Sequence, residues 1–116
     1  HDIGKIKELE VTTNIKYSND GKLKGHLIIG LELLKEKLSK IEIPEEHKLK
    51  LIHILLSNHG KLEFGSPVTP AFPEALVVYY ADELDSKTKM MITVKKEAQP
   101  EEDYVYTRDF GEIYLK

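Results

Sequence analysis

His1-Asp2-Ile3-Gly4-Lys5 opens the chain, and its reading decides the fold. A histidine beside an aspartate offers a neutral nitrogen and an anionic oxygen to one cation, the mixture that borderline and hard divalent metals accept. Two adjacent residues cannot complete a coordination sphere. Further His and Asp side chains must arrive from elsewhere in the chain.

The rest of the composition narrows the chemistry. The 116 residues are the size of one domain, and an apolar fraction of 41% is ordinary for a globular chain. Cysteine is absent, which removes disulfides, thiolate metal sites and cysteine nucleophiles together, so a metal here would take N and O ligands. No apolar run approaches the roughly 20 residues that span a bilayer, and no basic-then-apolar leader is present. The expectation is a soluble cytoplasmic protein with no membrane contact. A net charge of −3 gives no overall basic field for nucleic acid, so phosphate binding would have to be local. A start on His-Asp without an initiator Met also reads as a cut, with one domain of something longer expected.

Ile3, Ile6 and Leu9 suggest the end of a helix begun before residue 1, with His1-Asp2 on its last turns. The β-branched and aromatic residues Val11, Thr12, Thr13, Ile15 and Tyr17, followed by the turn signal Ser18-Asn19-Asp20-Gly21, suggest a short hairpin or an irregular excursion. Gly25-His26 opens a helix to about Ile41, carrying Ile29, Leu33, Leu34 and Leu38 on one face. His26 shares the face of Gly30 and Leu33. An isolated histidine there would be an ordinary polar helix start, but after His-Asp it is a plausible inward ligand.

Pro44 with Glu45 and Glu46 starts a helix to about His59. His59 lies on the face of Ile52, Leu55 and Leu56 and is expected to be buried, His53 is a hydrogen-bonded core-edge residue, and His47 faces solvent. Gly60 suits the residue that ends this helix. Residues 60–73, with three prolines and two glycines, form a loop expected to pack down through Leu62, Phe64, Val68 and Phe72. Gly65-Ser66 could offer backbone N–H groups and a hydroxyl to a phosphate, against the blander reading of a packed connector.

A helix from Pro73 to about Met91 places Asp82 with Ala75, Val78, Tyr79 and Ser86. An acid on a partly apolar stripe calls for a cation or strong donors; Asp85 is the competing choice. Beyond it, Ile92-Thr93-Val94 reads as a strand, Lys95 to Asp103 as a charged linker containing Pro100, and residues 104–115 as a terminal hairpin about Asp109-Phe110-Gly111. Its tyrosines could stack on bases, although strand aromatics more often simply pack. The chain divides in this reading into a helical core over 1–91 and an extension over 92–116.

The order His-Asp, Gly-His, His-Gly and Ala-Asp-Glu-Leu-Asp at helical intervals resembles the HD superfamily of metal-dependent phosphohydrolases. More narrowly, His1 to Lys5, Gly25-His26, the run Ser57 to Val68 and the segment from Glu74 to Lys87 look like the HD domain of YhaM-type 3′→5′ exoribonucleases. The resemblance implies a mainly α, HD-domain helical bundle truncated at its N-terminus, with a small β-hairpin insertion and a C-terminal β-like tail. It implies one or two divalent ions, Mn²⁺ first, with Mg²⁺, Co²⁺, Fe²⁺ or Ni²⁺ as alternatives. His1, Asp2 and Asp82 match the first-metal ligands, with Asp2 shared, His26 and His59 match the second-metal histidines, and Lys5 matches a lysine near the scissile phosphate.

The implied activity is hydrolysis of phosphodiester bonds in single-stranded RNA or DNA, with an N-terminal OB-type nucleic-acid-binding domain expected before residue 1, together with an upstream histidine ligand. A homo-oligomer is compatible with it. Asn58 stands where a second histidine beside His59 is expected, and an amide is a poor ligand for transition metals. The alternatives are a phosphohydrolase of a nucleotide or signalling nucleotide, and a metal-free regulatory module.

Overall fold

A computed structural model describes residues 1–99 and 101–116. It divides into two compact units, His1–Tyr79 and Tyr80–Lys116. The dividing point falls inside a long helix, upstream of the boundary at residue 91 read from the sequence.

In the first unit a single 3₁₀ turn over Asp2–Gly4 runs into α1, Lys5–Glu8. Helical backbone runs through Asp2 to Glu8, so the opening residues are helical, as the sequence indicated. Strands β1 (Leu9–Val11) and β2 (Ile15–Tyr17) pair antiparallel, with Leu9 opposite Tyr17 and Val11 opposite Ile15. The hairpin is where the β-branched run put it, but it turns at 12–14. Ser18 instead caps the next helix: its hydroxyl accepts from the Gly21 N–H at 2.9 Å and donates to the Lys7 carbonyl at 2.7 Å. Ser, Asn and Asp satisfy free backbone donors both in turns and at helix starts, so the same residues support either reading.

Helix α2 spans Asn19–Leu38 and is interrupted at Gly25, whose φ of +72° and ψ of 160° are not helical. The longer arm therefore starts at His26, as its sequence indicated, and buries Ile29, Gly30 and Leu38. Helix α3, Glu45–Leu56, begins after Pro44 and buries Leu55. It stops before His59, which lies in the following turn.

The first unit is held by the 3₁₀ turn and α1 against α2, and by α2 against α3. The closest approaches are at glycines. A Cβ at Gly4 would run into the His26 carbonyl, and one at Gly21 into the Glu8 carbonyl. Side-chain-free positions let the two backbones meet, which brings the opening residues next to His26.

The 60–73 loop holds a short 3₁₀ turn, Leu62–Phe64, ending on left-handed Gly65. Contrary to expectation, Leu62, Phe64 and Val68 remain exposed, and only Phe72 finds a ring partner, His53, at 5.1 Å. His53 Nε2 accepts from the Ala71 N–H at 3.1 Å, which gives it the structural role anticipated.

Helix α4 runs from Pro73 to Glu97, through the segment read as a strand. Ile92-Thr93-Val94 continues the preceding turns, where local β preference is outweighed by an established i→i−4 ladder with no glycine or proline to stop it. Lys95 to Glu97 are likewise helical, and Pro100 lies outside the described residues. In the second unit β3 (Tyr104–Thr107) and β4 (Gly111–Tyr114) form the expected terminal hairpin, with Tyr104 opposite Tyr114 and their rings 5.3 Å apart. Among the described residues no helix is long and apolar enough to cross a membrane.

Candidate active site

Asp2 is the hub. Its Oδ2 accepts from Lys5 Nζ at 2.6 Å, one helical turn away, and lies 3.7 Å from His1 Nε2. Its Oδ1 lies 3.9 Å from His26 Nε2. The Asp2 and Lys5 side chains are about half exposed, while that of His26 retains only 21% exposure. The carboxylate is thus reachable from solvent while the imidazole behind it is largely enclosed.

His26 is set from its other nitrogen. Glu8 is buried and its Oε1 lies 3.3 Å from His26 Nδ1 and accepts the His26 backbone N–H at 3.0 Å. A carboxylate has no hydrogen to give, so a neutral His26 carries its proton on Nδ1 and turns the Nε2 lone pair toward Asp2. The His59 ring, 5.5 Å from that of His26, is fixed in the same sense, because its Nδ1 lies 3.0 Å from the Phe64 carbonyl and a carbonyl can only accept. Both histidines therefore keep Nε2 free of these bonds. His53, which uses Nε2 to accept from Ala71, is excluded from that group. His47 is exposed, as anticipated.

These donors fit a divalent cation in kind and in pairwise spacing. Zinc-type bonds to N and O are about 2.0–2.2 Å, so an oxygen and a nitrogen 3.9 Å apart with facing lone pairs are within reach of one ion. Among the described residues no three His, Asp or Glu side chains converge into a closed coordination sphere. The structure holds donor pairs that share Asp2.

Beside the two imidazoles an open pocket of about 290 Å³ is walled by Lys24, Gly25, Leu27, Phe64, Gly65 and Pro67. Gly65 is thus at the site. Ser66 is not placed as a phosphate donor: it is 3% exposed and its hydroxyl donates to the Leu56 carbonyl at 2.9 Å, tying the loop to the end of α3. Asn58, adjacent to His59, is buried at 2% exposure. Asp82 lies on the part of α4 that belongs to the second unit and is half-buried, whereas Asp85 is exposed and paired with Lys89 at 2.7 Å.

Glu8 was not among the residues the sequence singled out. Its only signal is its place one turn after Gly4, on the face that meets α2, and among Lys5, Lys7 and Glu10 it resembles any solvated helix acid.

The HD domain family model matches residues 1–87. The chain is 39% identical over 102 residues to 3'-5' exoribonuclease YhaM of Bacillus subtilis (strain 168), covering 88% of this chain and 32% of that protein. It is 40% identical over 102 residues to the protein of the same name from Shouchella clausii, with the same coverage. With that of Bacillus licheniformis it shares 38% over 116 residues, 98% of this chain and 37% of the relative. It spans about a third of the length of these curated relatives. No solved structure matches at a significant level. HD-domain phosphohydrolases generally depend on divalent metals. With the match running from His1 through the histidine-bearing helices and loop into α4, the chain belongs to the HD-domain family.

Proposed function

We propose that this chain is the metal-dependent phosphodiesterase domain of a 3′→5′ exoribonuclease acting on single-stranded RNA or DNA in the cytoplasm. The observation that carries the reading is the Asp2 carboxylate bracketed by His1 and His26 imidazoles with the Lys5 ammonium against it. Two imidazole nitrogens that each pair with the shared, solvent-reachable carboxylate, and a cation against it, suit a phosphate diester and a metal together.

Within the first unit, as the family resemblance assigns them, His1 and Asp2 would hold a first ion, with Asp2 shared, and His26 and His59 would serve a second. When bound, a divalent ion such as Mn²⁺ neutralises charge at the phosphate and acidifies water. The Lys5 ammonium, already against Asp2, adds positive charge near the non-bridging phosphate oxygens, where negative charge grows during displacement. Glu8 and the Phe64 carbonyl fix the His26 and His59 rings. The pocket between Lys24 and Pro67 receives the 3′-terminal nucleoside, with the half-exposed Phe64 as an apolar wall. The greater length of the relatives is consistent with a further nucleic-acid-binding domain, OB-type by resemblance.

The test is Asp2→Ala in the intact protein, assayed by release of mononucleotides from the 3′ end of single-stranded RNA, with free nucleotides offered in parallel. Substitutions behind a metal ligand cost about 10–100-fold, so loss of the shared ligand should lower activity by about 100-fold or more and reduce bound metal. Unchanged metal content and activity would overturn the assignment. Turnover of free nucleotides with RNA left intact would favour a nucleotide phosphohydrolase.

A further inference from the structure

We infer that Glu8 is a positioning residue for His26: it fixes the imidazole's tautomer and orientation so that Nε2, and not Nδ1, is presented at the Asp2 carboxylate. The inference deepens the proposed phosphodiesterase site and rests on that reading for what Nε2 does there. The structural argument for the positioning itself is separate.

The first strand of that argument is burial. The Glu8 side chain is 9% exposed, in a chain whose other glutamates stand at the surface or close to it. A buried carboxylate is expensive unless strong donors satisfy it. Among the described residues, His26 supplies two donors, its backbone N–H at 3.0 Å and ring Nδ1 at 3.3 Å, both onto Oε1. One oxygen gripping the main chain and the ring of the same residue restricts the side chain more than a contact to the ring alone.

The second strand is the backbone built around this contact. Gly25 breaks α2 immediately before His26, with dihedrals that an L side chain would strongly resist. The break leaves the His26 N–H at the head of a new helical arm, where no preceding turn supplies a carbonyl. Glu8 fills that place from across the chain. Gly21 meets the Glu8 main chain and Gly4 meets the His26 carbonyl, each at a distance that excludes a Cβ. Two glycine contacts therefore fix the separation between the segment carrying Glu8 and the segment carrying His26. An ordinary surface acid is not braced in this way.

The consequence is at the far side of the ring. With Nδ1–H on Glu8, Nε2 has only a lone pair to offer, 3.9 Å from Asp2 Oδ1. Without Glu8 the opposite tautomer would place an Nε2–H against the Asp2 carboxylate, a hydrogen-bonding arrangement that occupies both ligands and disfavours a cation between them.

The test combines a readout that needs neither metal nor substrate with one that does. Ring ¹⁵N NMR of the metal-free intact protein, with the imidazoles neutral, should find His26 as the Nδ1–H tautomer. In Glu8→Ala it should shift toward Nε2–H, while His59, tied to the Phe64 carbonyl, stays as it was. Calorimetric Mn²⁺ binding should weaken by about 10–100-fold in Glu8→Ala, with most of the loss recovered in Glu8→Gln, whose amide oxygen can still accept from His26. A wild-type His26 already protonated on Nε2 would overturn the inference even if Glu8→Ala failed to fold. A folded Glu8→Ala with unchanged tautomer and Mn²⁺ affinity would overturn it too. An Nδ1–H tautomer that depends on Glu8 in a protein that binds no Mn²⁺ would sustain the positioning and defeat the phosphodiesterase reading, so the two fail separately.

Discussion

At the scale of single residues, the site depends on atoms the chain leaves out as much as on those it supplies. Gly4 has ordinary helical dihedrals, so its lack of a side chain is explained by space: a Cβ there would enter the His26 carbonyl and crowd the Gly30 nitrogen. Both obstacles are main chain and cannot rotate away. Overpacking a fitted interior costs about 1–3 kcal/mol, and Gly4→Ala should reach at least that by denaturant unfolding. The same change should separate Asp2 from His26 and weaken Mn²⁺ binding further than its effect on stability alone would. Gly60 is constrained twice, by a φ of +73° and by the Tyr79 ring lying where a Cβ would go.

At the scale of elements, the helices combine one apolar stripe with surface ion pairs. Just past the end of α2, Lys40 lies 2.6 Å from Glu36, and on α3 Lys50 lies 3.1 Å from Glu46. The Lys40 hydrogen bond and charge hold the Glu36 carboxyl below its usual 4.5, and Lys50 does the same for Glu46. A lowered folded-state pKa means a contribution present above the ordinary carboxyl pKa and lost as pH falls through the folded value. Both groups are exposed, so the effect on stability is small and screened by salt. NMR titration should place the Glu36 midpoint below 4.5, and Lys40→Ala should return it upward. The helix break at Gly25 acts at this scale too, since it starts an arm of α2 on His26.

For the molecule as a whole, the buried apolar side chains among the described residues are few: Ile29, Leu38, Leu55 and Ala75 in the first unit and Ile113 in the second. A core this thin makes ligand binding a visible part of stability. A ligand that binds only the folded state stabilises by about 2.7 kcal/mol when present at 100 times its Kd. Saturating Mn²⁺ should accordingly raise the melting temperature of the intact protein by several degrees, chelator should reverse the rise, and Asp2→Ala should abolish it. An unaltered transition with and without Mn²⁺ would point to the metal-free regulatory module.

Much of this was legible in the sequence, for physical reasons that are local. Gly25-His26 and Pro44-Glu45-Glu46 marked helix starts by backbone freedom and dipole complementarity, and the β-branched and aromatic runs located both hairpins. The misreadings arose where local preference was ambiguous or outweighed. Ser18-Asn19-Asp20-Gly21 suits a turn and a cap equally, and Ile92-Thr93-Val94 was carried along by a helix already under way. The tertiary structure alone decided that Glu8 is the buried partner of His26, that Ser66 is bound to Leu56, and that Leu62, Phe64 and Val68 stay exposed. The first of these depends on which backbones touch at Gly4 and Gly21, and the second on where the loop meets the end of α3; both are contacts between segments that no periodicity within either one encodes.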